Sequence, residues 1–113
     1  MNNKSKALYE IVDRVVECCA TEIDEDGTMS VTREAVLGPS RAENILMTRC
    51  ICVMVLYGAG YSVTTIAQLF RRTPHAIRHL LEVDRNFQLT SRAYRIASAE
   101  ATLACRSIGE DCI

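Results

Sequence analysis

The stretch from Ser62 to Leu81, SVTTIAQLFRRTPHAIRHLL, decides the fold, because it reads as two short helices joined by a tight basic turn. Ser62 is an N-cap candidate: its hydroxyl can accept from N–H groups that a first helical turn leaves unpaired, and Val63, Ile66, Ala67 and Phe70 follow at helical spacing. That helix should stop near Phe70. Thr73 then offers a second cap and Pro74 suits the first helical position, where its missing N–H costs nothing. Ile77, Leu80 and Leu81 give the second helix a buried side. Its other side carries His75, Arg78 and His79 behind Arg71 and Arg72, donors suited to phosphates and to base edges in a major groove. The pattern is a helix-turn-helix over 62–83.

Downstream, Asp84 to Gln88 reads as a short link. A last helix follows from about Thr90 to Arg106, with Ala93, Ile96, Ala97, Leu103 and Ala104 as its buried stripe. Arg92 and Arg95 fall near its start, which the helix dipole disfavours unless an anion is close. Upstream lies the main helix. Ser40 with Glu43 forms a capping box for it, Ala42, Ile45, Leu46, Arg49, Cys50, Val53 and Leu56 follow at helical spacing, and Gly58 and Gly60 end it. Arg49 on that apolar side either snorkels to the helix boundary or serves as a functional cation. Before it, Val31 to Leu37 gives one extended residue and one helical turn closed by Gly38 and Pro39, and Lys4 to Ala20 gives an amphipathic helix with Leu8, Ile11, Val12, Val15, Val16 and Cys19 on one stripe. Thr21 to Ser30 is acidic and reads as an exposed loop; it lacks the ligand spacing and closing glutamate of a calcium-binding EF-hand. With no strand pair or repeat in the pattern, the expected fold is all-α, a compact multi-helix single domain over 1–113.

Composition narrows the function classes. A chain of 113 residues, 49% of them hydrophobic, can bury one modest core. Its longest apolar run, Cys50 to Ala59, falls short of the roughly twenty residues that cross a bilayer, and no secretory signal opens the chain, so a cytoplasmic protein with no membrane partner is expected. The six cysteines form no CxxC knuckle, and His75 and His79, four apart, have no nearby thiol or carboxylate to complete a metal site. Cysteine as a small core hydrophobe is the expectation, with no metal and no cofactor. No nucleophile, base and orienting group appear at a usable spacing, which argues against an enzyme. The net charge of −1 is unevenly spread: residues 1–30 hold three basic and seven acidic side chains, and between Ser40 and Arg95 eight arginines face only Glu43, Glu82 and Asp84. Arginine forks bind phosphate and guanine in a bidentate way, so this concentration points to duplex DNA.

From about Leu8 to Leu103 the chain resembles the C-terminal DNA-binding domain (domain IV) of the bacterial replication initiator DnaA, a helical domain with a Trp-repressor-like helix-turn-helix. The resemblance rests on the opening amphipathic helix, VTREAVLGPSR leading into a long helix with Arg49, YSVTTIAQLF before a basic turn, and HAIRHLL. No G-x-x-x-x-G-K-[ST] phosphate loop occurs, so no nucleotide is expected. The resemblance implies that Arg49 enters the minor groove, that Arg41 matches the basic residues upstream of it, and that Ser62 and Val63 approach the DNA backbone. The initiator signature Gly-Arg-Asp-His-Thr-Thr aligns with Arg71, Arg72, Thr73, Pro74, His75 and Ala76, so Arg72 keeps its arginine and His79 matches a histidine further on. The base-contacting aspartate and histidine have become Thr73 and Pro74, and the second threonine Ala76. The initiator's own box is therefore not expected to be read with normal affinity.

Two functions stay open on these residues. One is a small DNA-binding protein in replication control or transcription, with arginines on phosphates and His75, Arg78 and His79 on bases. The other is a protein-interaction module that kept the fold and lost DNA binding, for which Pro74 and Ala76 speak. Trp-repressor-like folds can dimerise whereas the initiator domain binds as a monomer, so a homodimer is possible on the resemblance alone.

Overall fold

Hydroxyl side chains start four of the helices. Thr32, Ser62, Thr73 and Ser91 each accept, through the side-chain oxygen, from the backbone N–H three residues on, at Ala35, Thr65, Ala76 and Tyr94. Each bond satisfies a donor that the first turn would otherwise leave unpaired. The structure, a computed structural model, describes residues 3–22 and 31–108, with side chains over 6–19 and 31–108. Thr21 and Glu22, expected to open the acidic loop, are helical; the rest of that stretch, residues 23–30, with its calcium-binding alternative, and Cys112 lie outside the described residues.

The described chain is all-helical: α1 (Asn3–Glu22), α2 (Arg33–Leu37), α3 (Glu43–Gly58), α4 (Val63–Phe70), α5 (Pro74–Thr90) and α6 (Arg92–Ala104). The central member is α3, which packs against all five others and buries Ile45, Cys50, Ile51, Cys52, Val53, Val55 and Leu56 around its circumference. That explains the unbroken apolar run in its sequence. A helix covered on every side has no polar face to alternate with. Leu8, Ile11, Val12, Val15 and Cys19 of α1 and Ile66, Phe70 and Ile77 of the helix-turn-helix complete the same core. Among the described residues, no helix is long and apolar enough to cross a membrane.

Three further sequence expectations need correction. Ser40 does not cap α3: the helix begins at Glu43 behind Ala42, which gives no side-chain cap, and Asn44 Oδ1 instead accepts from the Ile45 N–H at 2.9 Å. The link expected over 84–88 is helical. No glycine or proline interrupts the chain from His75 to Thr90, and α5 runs through to Thr90 because Asp84, Phe87 and Gln88 are its contacts with α6. Tyr94, fully buried, donates its hydroxyl to Asp84 Oδ1 and stacks on Phe87 with ring centroids 5.0 Å apart, and Gln88 Nε2 donates to Ser98 Oγ at 2.9 Å. The third correction follows from the second. The buried stripe of α6 is Tyr94, Ala97, Ser98 and Ala101, so Ile96 and Leu103, expected inside, are exposed.

Four of the five described cysteines behave as core hydrophobes. Cys19, Cys50, Cys52 and Cys105 are buried and in no disulfide, and burial pushes the thiols of Cys19 and Cys50 up to about 12 and that of Cys105 up to about 11. The thiolate is the reactive form, so at pH 8 these four should resist iodoacetamide in the folded protein while half-buried Cys18 reacts faster than they do. Peptide mapping after timed alkylation, with and without denaturant, checks this. Equal labelling of Cys18 and Cys52 in the native protein would contradict the packing.

Candidate nucleic-acid interface

The turn between α4 and α5 is built on an unusual residue. Helix α3 closes with Gly60 at φ 103°, where the Tyr61 N–H reaches back to the Leu56 carbonyl at 3.2 Å. Helix α4 closes with the same motif, the Arg72 N–H reaching the Ala67 carbonyl at 2.9 Å, but the left-handed position is Arg71, at φ 54° and ψ 44°. Glycine is the usual occupant of this position because a Cβ crowds the backbone there. Arg71 is exposed, so its strained backbone carries a cation out at the tip of the turn.

Beyond the tip, Thr73 Oγ1 accepts from the Ala76 N–H at 3.1 Å and Pro74 occupies the first turn of α5, as the sequence predicts. Thr73, Pro74, His75, Arg78 and His79 are exposed, and Ala76 is half-buried beneath them. Among the described residues Arg41, Arg71 and Arg78 enter no ion pair, whereas His79 Nδ1 stands 3.9 Å from Glu82 Oε2. Ser62 is exposed and caps α4, and Val63 beside it is half-buried against the core. The extension of α5 adds exposed Arg85 and Asn86 to the face that starts at His75. Sequence reasoning missed both by ending the helix early; the uninterrupted stretch from Pro74 was the available signal.

Arg49 and Arg72 do something else. Arg49 is 4% exposed, and its fork is spent on the end of α2: Nε donates to the Val36 carbonyl at 2.8 Å, and Nη2 to the carbonyls of Gly38 at 2.9 Å and Ala35 at 3.3 Å. Neither snorkelling nor groove entry describes this side chain. It closes the last turn of α2 from inside the core, supplying donors to the carbonyls at that helix end, of which Ala35 also accepts from the Gly38 N–H at 3.2 Å. Burial, and after it the neighbouring Arg72, lower its pKa from the ordinary arginine value. Arg72 is half-buried and donates to the Phe70 carbonyl at 3.2 Å and, through Nη2, to the same Gly38 carbonyl at 2.8 Å. The Gly38 oxygen thus ties the loop before α3 to the turn of the helix-turn-helix. No sequence pattern marks a backbone carbonyl, so this hub was not legible.

Elsewhere, Arg33 pairs with Asp13 through two hydrogen bonds, one of them 2.8 Å, and lies 4.8 Å over the Tyr9 ring. That pair joins α1 to α2. Its hydrogen bond holds the Asp13 carboxyl below the usual carboxylate value. Among the described residues no three His, Cys, Asp or Glu side chains are grouped to hold a metal ion.

No protein-family model matches the chain, and neither curated proteins nor solved structures yield a match.

Proposed function

We propose that the protein is a small duplex-DNA-binding protein of the kind its resemblance to initiator domain IV implies, acting in replication control or transcription. Arg71 carries the reading. In the alignment it takes the place of the signature's glycine, and the backbone there has the left-handed conformation that glycine suits. This supports the register of the turn. An exposed arginine kept at a strained position, beside exposed His75, Arg78 and His79 at the start of a second helix, fits a phosphate anchor next to base-reading donors. Arg41, Ser62 and Val63 stay in the proposed contact set. Arg49 and Arg72 leave it, since their donors are held by carbonyls.

The reading is tested by selecting bound duplexes from random sequence at two salt concentrations. Enrichment of one motif, with affinity falling steeply as salt rises, is the expected result. A finer test uses Arg71→Gly. Relief of the left-handed strain should stabilise the fold by about 0.5–1 kcal/mol. Affinity should meanwhile fall about equally on all duplexes and the salt slope should lose roughly one unit. Higher stability with unchanged DNA binding would remove Arg71 from the phosphate set.

The competing reading is an interaction module that retains the fold without DNA binding. Arg49 and Arg72, spent inside the protein, favour it, as does Glu82 in the middle of the exposed α5 face. Absence of salt-sensitive affinity for any duplex would decide for it.

A further inference from the structure

Single apolar side chains at a surface need no explanation, but three of the four large ones exposed among the described residues are spaced seven apart. They are Leu89, 80% exposed, Ile96, 37%, and Leu103, 65%. Ile96 and Leu103 both lie on α6, where seven residues make about two turns. They therefore stand in line, on the side opposite buried Tyr94, Ala97, Ser98 and Ala101. Exposed Ala99 lies between them and leaves room for a close backbone. Arg95 and Glu100, both exposed, flank this stripe on its two sides.

That charge pattern is complementary to itself. In a parallel helix pair, the residue just before one stripe position faces the residue five further along in the partner, and here these are Arg95 and Glu100. A two-fold axis makes the pairing reciprocal. We infer that α6 is a self-association surface, on which a second copy of this chain docks in parallel through Ile96, Ala99 and Leu103, with Arg95 of each copy paired to Glu100 of the other. Arg92 and Arg106 set like charges near the axis at the two ends, and the contact is short, so the association is weak, as at the small end of specific interfaces.

The test is sedimentation equilibrium of the full chain without DNA, which separates it from the DNA reading. The weight-average mass should rise toward twice the monomer as concentration approaches the millimolar range, and Leu103→Lys should stay monomeric with an unchanged helical spectrum. Arg95→Glu also removes a bond from Arg95 to the Gln88 carbonyl, so it is paired with Glu100→Arg. Each variant alone should associate at least tenfold more weakly, and an equal mixture should recover association, because the two hetero-pairs are again opposite in charge. A wild type monomeric throughout, a Leu103→Lys protein that associates normally, or a mixture no stronger than its components would overturn the inference.

Discussion

Arg49→Met should lower stability by about 3 kcal/mol, and the unfolding midpoint by on the order of 15 °C, whether or not DNA is present. Methionine keeps much of the aliphatic volume but donates nothing. The Val36 carbonyl would lose its arginine donor, while the Ala35 carbonyl would keep the Gly38 N–H and the Gly38 carbonyl would keep Arg72. An unpaired acceptor out of reach of water costs its full desolvation, which is why the effect exceeds that of a surface charge. Arg49→Lys should fall between the two proteins, since one ammonium cannot span three carbonyls fixed to a planar fork. Thermal unfolding followed by circular dichroism measures the loss. A methionine variant that melts with the wild type and loses affinity only on A·T-rich duplexes would return Arg49 to the minor groove.

The contrast between Arg49 and its neighbours shows what could be read from residues alone. Local signals were legible because both partners sit within one turn: Ser62 with Thr65, Thr73 with Ala76, and Pro74 at the start of α5 were all placed from spacing. The partners of Arg49 lie 11 to 14 residues away and are backbone atoms, so its pattern announced only a cation on an apolar face. Helix α6 failed for a related reason. Hydropathy turns Tyr94 and Ser98 toward water and Ile96 and Leu103 inward, but Asp84 and Gln88 on α5 satisfy the polar atoms and draw Tyr94 into the core. A periodicity argument sees which residues are apolar, not which polar ones have found a buried partner.

Grafting the initiator pattern onto the turn, with Thr73→Asp, Pro74→His and Ala76→Thr together, should give the protein a preference for an initiator box over a scrambled duplex that the wild type lacks. The fold should accept the change. Aspartate caps as well as threonine at the position that now accepts from the Ala76 N–H, and the N–H regained at the exposed position of Pro74 can be solvated. Ala76 is half-buried, so its replacement by threonine carries the main packing cost, which the unfolding midpoint will register. Each base contact recovered contributes on the order of 1–3 kcal/mol of discrimination, so two contacts correspond to a ratio of roughly 30-fold or more between the duplexes. Phosphate binding through Arg71 should be common to both duplexes and cancel in that ratio. Competition binding at fixed salt gives the ratio directly. If the grafted protein folds, binds duplex with a normal salt slope and still treats the two sequences alike, then Arg71 through Ala76 do not occupy the places of the initiator signature, and α5 meets DNA in another register or not at all.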